Sequence, residues 1–528
     1  MSRSNLATAA ESPIVWFEHA RELDRSGNLA EAGRVIDSAS SRERDLPEEA
    51  VLLRARLHLI NDPSRAIGYL TENFARLHDR DRQVQALSLL ASAHGKVGDQ
   101  RNLRATWKRI CTLIDASGGP RQRRADLAYY EAKVLWAQEK TAEARRKIAL
   151  ALASGPSRTY VETLILKGAV HAGSGEYQTQ ATVLLEALRA TLSDRRPDVW
   201  KWATVTAQLC QLARDLPDRS IRGAALENVD RVPWTPDLSR RHSWALRSVA
   251  WRYAKEGDHF SAFTYLRKAQ ILADAPANRI VIACDRAYFA DALGEWRWAE
   301  QEIEEAHDLI KSVDWGHVND DERFALLKLA EACAPYDGTR AQSYLSRFQA
   351  LEPEALSSGE LRARAVKAYT LAHIHQLLNE FSEAEKLYKQ AFDFYDGVGF
   401  DWPAGRTAIG LANLAKEPES ARWRKIARAK LEHYPLSWLT EQVKRLEGTS
   451  SIPLVRVKRR SKTGSPTDLS PAQHEVYELL LRGLSAREVA KELGRSVFTI
   501  RNHMKALFKK LGVKSRATLM ATAFDLRR

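Results

Sequence analysis

Four features are scarce in this 528-residue chain: cysteine (4), methionine (3), proline (18) and glycine (26). Few turn formers over such a length disfavour a turn-rich all-β architecture. The cysteines, Cys111, Cys210, Cys284 and Cys333, are dozens of residues apart and form no C-x-x-C pair. Each sits among apolar residues in a helical pattern, so buried free thiols are expected rather than disulfides or a zinc site. No run approaches the roughly 18 apolar residues of a membrane span. The first residues lack the apolar core of a secretion signal. A cytoplasmic protein without a membrane partner is expected.

Other absences narrow the function. No G-x-x-x-x-G-K-[ST] loop occurs, so a P-loop nucleotide site is excluded. No nucleophile elbow, H-E-x-x-H or paired Cys/His cluster appears. His373 and His375 are two apart on a helical pattern and face different ways, which argues against a metal. Neither an enzyme nor a cofactor is expected.

What is present is helical. Alanine, leucine, arginine and glutamate dominate, with 44% hydrophobic and 28% charged residues, the profile of a folded chain. Its length predicts two or more domains. The formal charge of +14 is unevenly placed. Residues 451–528 carry 17 Lys+Arg against 6 Asp+Glu, or +11, which leaves 64 against 61, or +3, for residues 1–450. A nearly neutral body thus bears a basic tail, and the tail predicts a polyanionic partner.

Within the body a small residue is followed by a bulky one three later, often by glycine, then by Ala, bulky and Ala at offsets 12, 16 and 19. The clearest copy is Ala250, Tyr253, Gly257, Ala262, Leu266, Ala269, with Leu246 and Val249 leading in. Others begin at Ala20, Ala132, Gly168, Ala287 and Ala372. Spacings of three and four place these residues on one helical stripe. Small residues let two antiparallel helices approach, while bulky ones fill the space beside them. Gly257-Asp258, Gly175-Glu176 and Asn379-Glu380 mark turns between partners. Pro156, Pro276, Pro353 and Pro418 are expected near the ends of pairs.

This pattern resembles the tetratricopeptide (TPR) repeat, whose unit is about 34 residues. Neighbouring copies here lie 36 or 37 apart (Ala132 to Gly168, Ala250 to Ala287), and residues 10–447 leave room for about ten to twelve pairs. Irregular helices are expected at 50–80, 200–240 and 310–360. The resemblance implies an α-solenoid whose groove holds a protein or small-molecule ligand. The pairs Trp200/Trp202 and Trp296/Trp298 are read chiefly as packing between repeats, with ligand contact as the alternative.

Residues 448–467 read as a flexible basic linker, with Gly448, Gly464 and Pro466 around Lys458, Arg459, Arg460 and Lys462. Beyond it, residues 468–528 read as four short helices. Ser470-Pro471-Ala-Gln473 opens the first, which runs to Leu481 before Gly483. The capping box Ser485-Ala-Arg-Glu488 opens the second, through Val489, Ala490 and Leu493. Gly494 and Arg495 turn the chain in a three-residue turn. Ser496 caps the third, which runs to about Lys510; Gly512 ends it and Ser515 caps the fourth.

The second and third helices form a helix-turn-helix. Val489, Leu493, Ile500, Met504, Leu507 and Leu511 face a common core, leaving Arg501, Asn502, Lys505, Lys509 and Arg495 outside. Arg, Lys and Asn are side chains that read guanine and adenine edges in the major groove. No acidic residue interrupts residues 497–510.

The segments Leu469–Val476, Gly483–Ala490, Thr499–His503 and Lys510–Arg516 look like the LuxR/GerE-type DNA-binding domain. The resemblance covers about 55 residues without a gap, a tenth of the chain. It implies that Arg501, Asn502 and Lys505 face bases, and that Ser496, Thr499, His503, Lys509 and Lys510 meet the DNA backbone. It also implies dimerisation on double-stranded DNA through Leu519, Met520 and Ala523 of the last helix, with Ala517 and Phe524. Ala472, Gln473 and Arg495 depart from the family's usual residues. The fold expected is all-α: a TPR-like solenoid followed by a small four-helix LuxR-type domain. The function expected is a bacterial transcription regulator, nucleoid-associated and controlled through its repeats. The alternative is an interaction adaptor whose basic module only localises it to DNA.

Overall fold

The computed structural model describes residues 13–510, apart from 41–45, 98, 116–120, 155–156, 158, 274, 294, 314–319, 353–360, 449–470 and 482–483. Helices are the only regular elements among the described residues. The chain divides into two units, residues 1–209 with 230–238, and residues 210–229 with 239–528.

In the first unit, helices Pro13–Arg25 and Leu29–Ser40 pack as a pair, as do Glu48–Asn61 with Pro63–Asn73 and Arg80–Lys96 with Gln100–Asp115. Arg121–Ala137 with Thr141–Ala153 and Tyr160–Gly173 with Tyr177–Leu192 follow. In the second unit the pairs are Ser239–Lys255 with His259–Leu272, Pro276–Ala292 with Trp296–Ile310, and Asp320–Cys333 with Gly338–Leu351. Leu361–Leu377 with Phe381–Gly397, Asp401–Leu414 with Glu419–Lys430, and a single helix Trp438–Leu446 complete its repeats. The first helix of a pair also packs on the first helix of the next: Pro276–Ala292 on Asp320–Cys333, and Asp320–Cys333 on Leu361–Leu377. These are TPR-like helical repeats, an all-α architecture.

The alanine pattern explains the pairing. Ala250, Ala262, Leu266 and Ala269 have no exposed surface, and neither do Ala20, Ala32 and Ile36, or Ala132 and Ala144. A methyl group at each crossing brings two backbones close enough for leucine, isoleucine and tyrosine to fill the flanks without voids. The turn repeats as well. Gly27, Gly175 and Gly257 have φ of +80°, +77° and +82°. Each is wrapped by the same hydrogen bonds: the Asp258 N–H donates to the Tyr253 carbonyl at 3.0 Å and the Gly257 N–H to the Ala254 carbonyl at 3.0 Å. This is the Schellman closure of a helix C-terminus. Asn379 and Glu139 take the same left-handed place at φ +64° and +61°.

Of the three stretches expected to be irregular, 200–240 is so, whereas the described part of 310–360 holds a regular pair, Asp320–Cys333 with Gly338–Leu351. Helix Val199–Asp215 is followed by the short Arg219–Val229 and a single 3-10 turn, Pro236–Leu238. Residues 50–80 are more regular than expected, holding two α-helices and only a 3-10 turn at Phe74–Arg76. Pro276 opens a helix at its first position, as expected. Pro418 instead caps the second helix of a pair, so it lies inside a pair rather than at its end. Pro156 and Pro353 fall outside the described residues.

The cysteines are free; Cys210, Cys284 and Cys333 are buried, whereas Cys111 is only half-buried. Trp200 and Trp202 pack on Val199, Ala203, Val232 and Leu238, and Trp298 is buried with its Nε1–H donated to Glu302 at 2.8 Å. The Trp296 side chain is outside the described set. His373 and His375 bond different partners, Glu331 and Glu380. Among the described residues no acid/His/Cys cluster fits a metal and no helix is long and apolar enough to cross a membrane.

Charges that a sequence reading assigns to solvent lie inside the second unit. Asp285 is fully buried between Arg247 and the Trp251 indole N–H, which is 2.7 Å away. Asp215 accepts from Lys255 at 2.9 Å and also meets Arg214 and Arg362. Glu331 meets Lys328, His373 at 3.1 Å and Arg406 at 3.3 Å. Burial alone would raise the pKa of Glu331, but Lys328, the His373 hydrogen bond and Arg406 hold it well below the ordinary carboxylate range.

Gly257→Ala places a methyl group 2.5 Å from the Leu436 carbonyl at a positive φ, so it lowers stability by at least about 1–2 kcal/mol. Gly223→Ala, in open space within a helix, is neutral or stabilising by about 0.5–1 kcal/mol; urea midpoints of both variants check the contrast. Glu331→Gln strands two buried cations and costs about 3–5 kcal/mol at neutral pH. A carboxylate with a depressed folded pKa contributes stability above its ordinary pKa and loses it as pH falls. The urea midpoint of wild type therefore drops more steeply below about pH 5 than that of the variant.

Candidate nucleic-acid interface

The terminal domain is built on three described helices, Pro471–Leu481, Ala486–Glu492 and Val497–Lys510. Its core comprises Val476, Tyr477, Leu479, Leu480, Leu481, Leu484, Val489, Ala490, Ile500 and Leu507. Leu493, Val497 and Met504 pack against it half-buried.

The capping box is formed as read. The Glu488 N–H donates to Ser485 Oγ at 3.3 Å, and the Ser485 N–H to Glu488 Oε2 at 2.7 Å. The second helix ends at Glu492, one residue earlier than expected, so four residues separate it from the third. Gly494 has φ +61°, and the Arg495 N–H donates to the Ala490 carbonyl at 2.9 Å. The turn of the helix-turn-helix is thus closed by the same Schellman geometry as the repeat turns. The Ser496 hydroxyl accepts the Thr499 N–H at 3.1 Å, and the two hydroxyls are 2.8 Å apart. Ser470 and Gly483 lie outside the described residues.

The third helix has two faces. Ile500 and Leu507 are completely buried, whereas Arg501, Asn502 and Lys505 are exposed on the other side. Ser496 is exposed, and Thr499 and His503 are half-buried beside that face. Arg495 is exposed in the turn. Lys509 and Lys510 belong to the helix, but their side chains are outside the described set, as are Leu519, Met520 and Ala523. One side of a rigid, core-anchored helix therefore presents two cations and an amide with no carboxylate among its 14 residues. A phosphate-lined groove accepts such a surface.

Two helices joined by a left-handed turn, the second with an exposed basic face, make a helix-turn-helix of DNA-binding type. Residues 467–523 match the family of bacterial regulatory proteins of the luxR type, GerE, so the terminal domain is a luxR-family helix-turn-helix. A probable HTH-type transcriptional regulator, GfsR of Streptomyces halstedii, is 41% identical over 59 residues, covering 11% of this chain and 24% of that protein. The spore germination protein GerE of Bacillus subtilis strain 168 is 43% identical over 49 residues, 9% of this chain and 66% of that protein. The chain thus spans about a quarter of the length of the first relative and about two thirds of the second.

Among solved structures, the apo form of the quorum sensor NprR from B. thuringiensis is similar with a TM-score of 0.39 and 11% identity, over 72% of this chain and 98% of that one. A Rap protein complexed with competence and sporulation factor gives a TM-score of 0.34 and 13% identity, over 78% and 99%.

The capping box of the second helix makes the stability of the terminal domain testable. Ser485→Ala removes one half of the box and lowers the stability of the terminal domain by about 1 kcal/mol, measured as a shift in its thermal transition.

Proposed function

We propose that the chain is a bacterial transcription regulator that reads promoter DNA with helix Val497–Lys510 and is controlled by a ligand or protein held in its repeats. The observation that carries this reading is the exposed set Arg501, Asn502 and Lys505 on a helix anchored from behind by Ile500 and Leu507. In this reading the two cations and the amide meet base edges. Ser496, Thr499, His503, Lys509 and Lys510 seat the helix on phosphates. Leu519, Met520 and Ala523 join two copies on DNA. The chain divides functionally into repeats at 10–447, a basic linker at 448–467 and the DNA-binding domain from 468. No catalytic role is assigned, and the working location is the nucleoid.

The charge distribution supports the same division of labour. The last 78 residues hold +11 of the +14 formal charges, so salt-dependent attraction to DNA is concentrated where bases are read. An adaptor that uses this module only for attachment would share the attraction but not site preference.

Arg501→Ala and Lys505→Ala each lower affinity for a specific site by about 1–3 kcal/mol and relax its sequence preference. Lys509→Ala weakens all DNA about equally and flattens the salt slope by about one unit. Sequencing of genomic fragments retained by the full-length protein checks this. Discrete sites retained by wild type and lost in the Arg501→Ala/Lys505→Ala double variant support the regulator; site-free retention by both supports the adaptor.

A further inference from the structure

The second unit contains a pocket of about 640 Å³ among its own repeats. Helix Pro276–Ala292 contributes Tyr288 and Asp291 to its wall, Leu361–Leu377 contributes Tyr369 and His373, and Asp401–Leu414 contributes Arg406, Gly410 and Asn413. Trp438, Glu441, Lys444 and Arg445 of the last repeat helix complete it. This is the size of a site for a small organic molecule or a few peptide residues, and too small for a folded partner.

Its walls are aromatic. The Tyr288 and Trp438 rings meet edge to face with centroids 6.0 Å apart, and Tyr369 lies 5.6 Å from Tyr388. Gly410 permits this, since a methyl group there would stand 2.6 Å from the Tyr388 ring. The Arg406 guanidinium carbon stands 3.9 Å from the centre of the Tyr369 ring and 4.7 Å from that of Tyr288. Rings on its faces hold the guanidinium in place while leaving its N–H edge as the polar part.

The charges do not balance. One buried carboxylate, Glu331, serves both cations: Oε2 meets Lys328, and Oε1 is shared by Arg406 and His373. Arg406 makes one long hydrogen bond among the described residues, 3.3 Å to Glu331. The guanidinium edge that lines the pocket has only this long bond to a carboxylate, and a carboxylate with two parallel oxygens offers the geometry that matches it. The wall acids Asp291 and Glu441 are already engaged, by the Tyr336 hydroxyl at 2.7 Å and by Lys444 at 3.7 Å. They also disfavour a doubly charged phosphate, so the surplus of one positive charge on the floor matches a monoanion.

We propose that this pocket binds a small ligand carrying one carboxylate, held by Arg406, with a flat apolar part against Tyr288, Tyr369 and Trp438. A free aromatic acid and the C-terminus of a short peptide share this chemistry. The proposal specifies the ligand of the repeat-controlled regulator above and rests on that reading for its role, although binding itself does not depend on it.

The test titrates the full-length protein with indole-3-acetate, with its amide, and with a tetrapeptide pool ending in Phe or Leu, as free acids and as C-terminal amides. Binding is read from tryptophan fluorescence and calorimetry. Saturable binding of an acid at least tenfold tighter than its amide is expected, and the class that binds, aromatic acid or peptide, identifies the source. Because Arg406→Gln can disturb the buried network, Asn413→Trp serves as a second variant. It fills the mouth from an exposed position and is expected to abolish binding with an unchanged melting temperature. Equal binding of acid and amide, retention of binding in Asn413→Trp, or no binding of either acid class at millimolar concentration overturns the proposal. Addition of the bound acid to a DNA-retention assay separates the two readings: pocket binding without any change in DNA retention leaves the site standing and removes the control function.

Discussion

How near the two helices of a pair can come governs the repeat units. Alanine at the crossing sets that distance, and a left-handed residue at the turn sets the direction in which the second helix returns. Ala250, Ala262 and Ala269 are buried to the last atom beside Gly257, and the same four-point arrangement recurs in copy after copy. Because the backbones lie so close, the space between pairs is filled by single large side chains rather than by layers of them. That leaves room on the first helices of successive pairs for polar residues to meet side by side. The buried ion clusters of the second unit lie between such first helices, Asp285 beside Arg247 and Glu331 beside Arg406.

Much of this was legible in the sequence because alanine and glycine are informative when their spacing repeats. The offsets 12, 16 and 19 picked out residues that are now seen to be buried, and the Gly-Asp and Asn-Glu dipeptides marked turns that are now seen to close in one way. The terminal domain was readable for a related reason. Ser485, Glu488, Gly494 and Ser496 are local signals whose hydrogen bonds span only a few residues, so no tertiary knowledge was needed.

The interior charges were not legible. Asp215, Asp285 and Glu331 look like any exposed acid on a helical repeat, and their partners come from elsewhere in the chain: Arg362 is 147 residues from Asp215, and Arg406 is 75 from Glu331. Nothing in a period of three or four encodes such a meeting. Glu139 was equally hidden, since a glutamate at φ +61° has no residue signature, only the geometry of the turn it occupies. The pocket drew on helices whose aromatic residues read one at a time as ordinary core. The small discrepancies have local causes. The second helix of the terminal domain stops at Glu492 because the left-handed Gly494 draws the chain back onto the Ala490 carbonyl before another turn can form.

The distribution of sulfur has a practical consequence. All four cysteines precede residue 334, so the luxR-type domain carries no native thiol. Burial pushes the Cys284 thiol far above its ordinary value and Cys333 up to about 12, which leaves almost no thiolate at either at neutral pH. A single cysteine introduced on the exposed face of the third helix would therefore face little competition for a maleimide dye, with half-buried Cys111 the one background site to remove. A fluorophore can thus be put on the exposed basic face of helix Val497–Lys510 with the loss of one native repeat residue, Cys111.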